Sequence, residues 1–228
     1  MSKLYIVATP IGNLEDITLR ALRVLKEVDM VLCEDTRVTR KLLSHYDIKT
    51  PTMSYHAHSK LSQVEKIFEL LRAGKNLALV SDAGTPTISD PGILLVQQVR
   101  GEFGDEVSIV GIPGPSAIIT ALSVGGISSA QFTFYGFLPH KKGRETIFKE
   151  ISDSKRTSVF YESPHRILKT LSSLGEHLDK NRKISVAREL TKIYEEITLA
   201  PISEVNLYFA NNPEKVRGEF VIIVEGLE

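Results

Sequence analysis

The residues of this chain best suited to chemistry gather in short polar stretches that follow apolar runs. The longest is Val80 to Gly92, VSDAGTPTISDPG. Gly84, Pro86, Pro91 and Gly92 break any helix or ladder there, while Ser81, Asp82, Thr85, Thr87, Ser89 and Asp90 offer short hydrogen-bonding side chains. A loop of this composition suits a polar ligand approached by backbone groups; it is equally the composition of a surface turn. GIPGPSA, Gly111 to Ala117, is a second such loop and tips the balance towards a site. Glu34-Asp35-Thr36-Arg37 sets two carboxylates and a cation after Cys33, either as a substrate contact or as a helix start whose acids suit the dipole. His56 and His58 are spaced to share one strand face, but no third ligand stands at a familiar distance, so a strand end or loop is expected and no metal. Pro139 to Arg144, PHKKGR, is a basic loop that is either solvated or in contact with a phosphate backbone.

Several established chemistries fail on the residues. No G-x-G-x-x-G follows the first apolar run, and no Walker A loop or H-E-x-x-H is present. Gly114-Pro-Ser-Ala117 has the context of a nucleophile elbow around Ser116, but Ile118 stands where that turn needs glycine.

The elements that must position these stretches alternate. Leu4 to Ala8, Met30 to Cys33, Asn76 to Val80 and Val107 to Val110 read as buried strands. Helical spacing separates them: Leu19, Leu22, Val24 and Leu25 with Asp16 as cap; a helix carrying Arg40 to Leu43; Val64, Ile67, Phe68 and Leu71 after Ser59; and Ile93 to Val99, followed by a charged turn at Glu102 to Glu106. Thr52 to His58 alternates weakly. Strand-helix alternation predicts a parallel sheet with right-handed crossovers, which brings the loops after the strands to one edge, where open α/β sheets bind ligands. The pattern changes after the helix that begins at Ser116. A boundary within 115–128 is expected, with an N-terminal α/β domain over residues 1–117 and a C-terminal α/β domain over 118–228. The second part holds strands at Phe132 to Phe137, Thr157 to Tyr161, Lys183 to Ala187 and Phe220 to Val224, a helix N-capped by Ser163 with Pro164 as its first residue, and another from about Pro201.

Composition bounds the rest. The 228 residues carry 28 Lys+Arg and 28 Asp+Glu, so total charge points to no polyanion, and a nucleic-acid partner would have to meet a local patch. The single cysteine, Cys33, allows no internal disulfide and suits a reducing, cytoplasmic setting. No apolar run reaches membrane-spanning length.

Long stretches resemble a known family. LYIVATPIGNLEDITLRALRVL from Leu4, CEDTRVTRKLL from Cys33, LVSDAGTPTISDPG from Leu79, IPGPSAIITALSVGG from Ile112, FTFYGFLP from Phe132, FYESPHR from Phe160, ARELTKIYEE from Ala187 and GEFVIIVEG from Gly218 together cover nearly the whole chain. They resemble the tetrapyrrole methylase superfamily, and within it the branch that methylates a cytidine ribose 2′-hydroxyl of small-subunit (16S) ribosomal RNA. The resemblance implies an α/β, tetrapyrrole methylase-like fold of two domains with a cofactor cleft between them, S-adenosyl-L-methionine as methyl donor, the small ribosomal subunit or its rRNA as partner, and a homodimer.

It also implies roles. Pro10, Asp82, Gly84, Thr85, Pro86, Ile88, Ser89, Ser116 and Ala117 would hold the cofactor, with Tyr161, Ala187, Arg188 and Gly218 of the second domain. Glu34, Asp35, Glu162 and Lys192 are candidates to take the ribose proton, each being also a plausible structural ion-pair member. Arg37, Arg40, Lys141, Lys142 and Arg144 would meet RNA. Sister enzymes of the superfamily methylate precorrins, uroporphyrinogen or diphthamide intermediates, so a tetrapyrrole methyltransferase is the alternative, and a non-catalytic adenosine-ligand sensor stands further off.

Overall fold

The computed structural model describes residues 1–56 and 61–227, so His58 and the expected helix start at Ser59 lie outside the described residues. The chain divides into two compact units, Met1–Ser116 and Ala117–Glu228.

The first unit alternates β1 (Ser2–Val7), α1 (Leu19–Glu27), β2 (Met30–Cys33), α2 (Thr36–His45), β3 (Thr52–Ser54), α3 (Leu61–Arg72), β4 (Leu77–Leu79), α4 (Gly92–Phe103) and β5 (Val107–Ile112). The strands form one sheet in the order β3-β2-β4-β1-β5, and all its pairings are parallel. Side chains alternate across it: Leu4, Leu32, Leu77 and Leu79 pack against α3 and α4, while Val7, Val31, Cys33, Ala78 and Ile112 pack against α1 and α2. Burial on both faces explains why these strands read as continuous apolar runs. Parallel pairing puts the carboxyl ends of β1, β2, β4 and β5, and the loops that leave them, along one edge.

The second unit contains α5 (Ala117–Val124), β6 (Phe132–Phe137), α6 (Arg144–Asp153), β7 (Thr157–Glu162), α7 (Ile167–His177), β8 (Lys183–Arg188), β9 (Glu196–Pro201), α8 (Ile202–Asn211) and β10 (Phe220–Val224). Its sheet, β6-β7-β10-β8-β9, is mixed: β6 and β7 are parallel and the remaining pairs antiparallel. One face carries the larger core, in which Phe148, Phe160, Ile184, Phe209 and Phe220 meet.

Local expectations are corrected in three places. Thr18, not Asp16, caps α1, its hydroxyl accepting from Ala21 N at 3.1 Å; Asp16 sits in a short 3-10 turn over Leu14–Asp16 capped by Asn13. The helix expected to stop at Val99 runs on to Phe103, because Gly104 at φ +50° supplies its first left-handed residue. Ser163 and Pro164 form a turn before α7 rather than its first residues, since the Ser163 carbonyl accepts from both Arg166 N and Ile167 N and its hydroxyl is taken by Arg166 Nε.

Candidate active site

Three loops of the first unit are stitched together at the carboxyl edge of its sheet. Thr9 and Gly84 exchange both backbone hydrogen bonds, at 2.9 and 3.0 Å, and the Thr9 hydroxyl donates to Ser81 O at 3.1 Å. This ties the turn after β1 to the loop after β4. Thr85 Oγ1 donates to Pro115 O at 3.0 Å, which ties the same loop to the turn after β5. The β2 end joins through Asp35 N, which donates to Asp82 Oδ1 at 3.3 Å. Inside the long loop, Ser81 Oγ donates to the carbonyls of Ala83 and Gly84, and Asp90 Oδ1 accepts from Thr87 N and Gly92 N, so Asp90 closes the loop onto the start of α4.

Close approach explains the glycine at 114. A Cβ on Gly114 would stand 2.9 Å from Ala8 Cβ. The backbone of the long loop is also held where L-residues rarely go: Gly84 at φ +78°, Thr87 at +76° and Ser89 at +53°. Positive φ at a β-branched threonine costs on the order of 1–3 kcal/mol and persists only where surrounding bonds over-determine it, which the Asp90 and Thr85 bonds do here. The rim that results is partly apolar, with Pro10 and Pro86 buried and Ile88 47% exposed. It presents backbone, short hydroxyls and one exposed aliphatic side chain. Ser116 and Ala117, half-buried, lead from the third loop into α5.

A second strained cluster lies at the end of β8. Glu189 (φ +50°) and Thr191 (φ +66°) are left-handed. Glu189 Oε1 accepts from Lys192 Nζ at 2.7 Å and from Glu219 N at 3.0 Å, and Lys192 also reaches Glu219 Oε2 at 2.8 Å. Gly218, at φ +87°, leaves no room for a Cβ beside the Glu189 side chain. Arg188 is buried, with Nη1 on Arg217 O at 3.4 Å and Nη2 on Glu196 at 3.3 Å. Its Nε and the Thr191 hydroxyl are buried without a hydrogen-bond partner among the described residues. Ala187 is fully buried beside them. Buried polar atoms left unpaired are costly, so this corner of the second unit carries strain in its hydrogen bonding as well as in its backbone.

The four residues considered for proton removal have different surroundings. Asp35 caps α2 through Arg37 N at 2.8 Å and pairs with the Arg37 guanidinium at 2.6 Å. Those bonds to Arg37 hold its pKa down to about 2, which makes it a poor base. Burial pulls Lys192 downward, but its bonds to Glu189 and Glu219 outweigh this and raise it, so it stays an ammonium. Glu162 is wholly buried: Arg166 Nη2 at 2.8 Å, Ser163 N at 2.8 Å, Thr170 Oγ1 at 2.6 Å and Arg144 Nη2 at 3.5 Å all point at its carboxylate. It is a structural anchor rather than an accessible base. Glu34 is exposed and engaged in no protein hydrogen bond or ion pair among the described residues.

The residues considered for RNA contact also separate. Arg37 is 84% exposed at its side chain despite its ion pair, and exposed Arg40 donates to Thr52 Oγ1 at 3.2 Å. Lys141 and Lys142 are exposed. Arg144 is not part of that surface: it is only 5% exposed, bonded to Glu162, Thr170 and Pro139 O, and its guanidinium lies over the Phe148 ring at 5.0 Å. Its guanidinium is turned inward onto these three acceptors and the Phe148 ring, which leaves almost none of it at the surface where a phosphate could lie. Sequence reasoning missed Glu189 and Thr170, whose types carry no signal until the fold sets their partners.

The described residues contain no group of three His, Cys, Asp or Glu that could hold a metal ion, and no helix long and apolar enough to cross a membrane. Against protein-family models, residues 3–206 match Tetrapyrrole (Corrin/Porphyrin) Methylases. The chain is a tetrapyrrole methylase. Among curated relatives of this methylase, the ribosomal RNA small subunit methyltransferase I of Vibrio cholerae is 49% identical over 98% of the chain and 77% of its own length. The protein of the same name from Thermotoga maritima is 45% identical over the whole of both chains. Solved structures agree on the fold: a diphthine synthase at TM-score 0.72 and 12% identity covers 99% of the chain and 90% of its own, and a cobalt precorrin-4 methyltransferase at 0.69 and 18% covers 98% and 94%. The α/β, tetrapyrrole methylase-like architecture read from the sequence is thereby shown.

Proposed function

We propose that this methylase transfers a methyl group from S-adenosyl-L-methionine to a ribose 2′-hydroxyl of a cytidine in 16S ribosomal RNA. The observation that carries the reading is the near full-length similarity, at 45–49% identity, to proteins named ribosomal RNA small subunit methyltransferase I. The choice of a cytidine ribose follows from the sequence resemblance, and so does a homodimer; the cytoplasmic setting follows from the single cysteine, Cys33.

Bound at the rim, the cofactor supplies an activated methyl group on a sulfonium. Backbone groups of Pro10, Asp82, Gly84, Thr85, Ser89 and Ser116, with Pro86, Ile88 and Ala117 as apolar walls, would hold it, because these loops are tied in place before any ligand arrives. The resemblance assigns Tyr161, Ala187, Arg188 and Gly218 to the same ligand. The chain must then hold the ribose oxygen in line with the methyl group and accept its proton. Glu34 is assigned that proton, since Asp35, Glu162 and Lys192 are each committed elsewhere. Arg37, Arg40, Lys141 and Lys142 would position phosphates.

The test is mass spectrometry of nucleosides from 16S rRNA after incubation of small subunits with the protein and cofactor. The expected product is a cytidine heavier by one methylene, with the gain on the ribose. A methyl group on a base, or on added uroporphyrinogen in place of RNA, would overturn the reading.

A further inference from the structure

β6 is an edge strand whose register against β7 shifts between Phe134 and Phe137. Phe132, Thr133 and Phe134 pair in order with Thr157, Ser158 and Val159, but Phe137 pairs with Tyr161, so one extra residue is inserted in β6. Gly136, at φ +65°, makes the bulge. In unbroken register Phe137 would stand opposite Glu162 and share the face of Tyr135, which packs on the core. The bulge turns it to the other face, beside Phe134 and Tyr161. Tyr161 lies 5.2 Å, centroid to centroid, from each of the two phenylalanine rings. Yet Phe137 remains 57% exposed and Phe132 38%. Bulges that re-aim a side chain at a cost to the ladder are a feature of functional surfaces.

The segment after Phe137 is fixed with equal care. Arg166 Nη1 donates to Leu138 O at 2.8 Å and Arg144 Nη1 to Pro139 O at 3.1 Å, and both arginines are anchored on Glu162. Gly143 at φ +85° and the Arg144 N to Lys141 O bond close the turn, leaving Lys141 and Lys142 exposed. An exposed ring backed by Tyr161, which itself packs on Phe134, thus leads through a pinned backbone to two exposed lysines.

We propose that Phe137 is a stacking platform for an unpaired nucleobase of the RNA substrate, with Lys141 and Lys142 on the neighbouring phosphates. The inference rests on the RNA reading above and adds that the substrate is met as a splayed single strand rather than as a duplex. Sequence-tolerant stacking combined with backbone charge is how single strands are held. Phe137 is a substrate-positioning residue; it moves no proton.

The test compares the full-length protein with Phe137→Ala, Phe137→Leu and Phe137→Trp in methyl transfer to small subunits, and in binding of a short fluorescein-labelled single-stranded RNA and its duplex. Phe137→Ala should raise KM and the single-strand Kd about five- to a hundredfold with cofactor affinity unchanged. Phe137→Trp should restore both and Phe137→Leu should not, since leucine keeps apolar area without a π-face. Lys141→Ala with Lys142→Ala should flatten the salt dependence by about 1.4 in log–log slope. Unchanged KM in Phe137→Ala, equal recovery by leucine, preference for the duplex, or a change in sedimentation in place of RNA affinity, the mark of a second copy on this face, would each overturn the inference. Active wild type with indifferent Phe137 variants would sink this inference alone. Wild type that binds RNA through Phe137 but methylates none would sink the ribosomal RNA reading and leave the platform standing.

Discussion

Glu162→Gln separates an anchor from a base at the most deeply buried carboxylate of the set. Glu162 is 0% exposed at its side chain, facing Arg144 at 6% and Arg166 at 16%. The amide keeps the shape and one acceptor oxygen for Ser163 N but removes the charge, leaving two guanidinium groups in the interior without a counter-ion. Removing one partner of a buried pair costs about 3–5 kcal/mol, and the retained acceptor places this change near 3 kcal/mol. For a chain of this size about 2–4 °C of Tm is lost per kcal/mol, so the melting temperature should fall by roughly 6–12 °C. Thermal unfolding followed by circular dichroism measures it. The folded variant, assayed well below its Tm, should still transfer methyl groups with an unaltered pH profile. Its KM for small subunits should rise, because Arg144 and Arg166 also hold the carbonyls of Leu138 and Pro139. An unchanged Tm together with an abolished kcat would refute the reasoning and return Glu162 to the role of base.

Four further outcomes follow. Glu34→Gln should lower kcat by about 10²–10⁴ with cofactor affinity intact; a wild-type pH–rate profile in the variant would remove Glu34 from the reaction. Asp35→Ala should lower Tm. The carboxyl's pKa is depressed from 3.8 to about 2, so that contribution is fully present above about pH 4 and fades as pH falls towards 2; a difference from wild type that persists undiminished at pH 2 would contradict the Arg37 pairing as its source. Lys192→Arg should keep most of the activity and Lys192→Ala should lose stability, since the role is to neutralise Glu189 and Glu219; an inactive but fully stable Lys192→Arg would make the lysine a chemical participant. Gly114→Ala should cost about 1–3 kcal/mol through crowding of Ala8 and weaken cofactor binding in calorimetry; unchanged values would show that the turn yields freely.

Much of the fold could be read because its signals are local. Apolar runs such as LYIVA and LALV, buried on both faces, alternate with helical spacing, and that alternation alone dictates a parallel sheet with its loops on one edge. The long loop after β4 was legible through its glycines and prolines. Helix starts were less so: Asp16 and Ser163 have capping side chains, but Thr18 and the Ser163-Arg166 turn compete for the same positions, and only tertiary bonds decide. Arg144 shows the same limit more sharply. In PHKKGR it looks like its lysine neighbours, and the acid that buries it lies eighteen residues on, at Glu162. The bulge at Gly136 had a cue, a glycine inside a strand pattern, whereas the left-handed threonines at 87 and 191 had none, because backbone strain is imposed by distant partners.

The central claim, ribose methylation of small-subunit RNA, is tested most directly by tritium transfer from labelled S-adenosyl-L-methionine. Small subunits from cells lacking this protein are compared with subunits from normal cells. The account predicts label in the 16S rRNA of the deficient subunits only, retained in alkali-resistant dinucleotides because a 2′-O-methyl group blocks cleavage. Cofactor binding without label in either RNA, or label lost to alkali into mononucleotides, would contradict it.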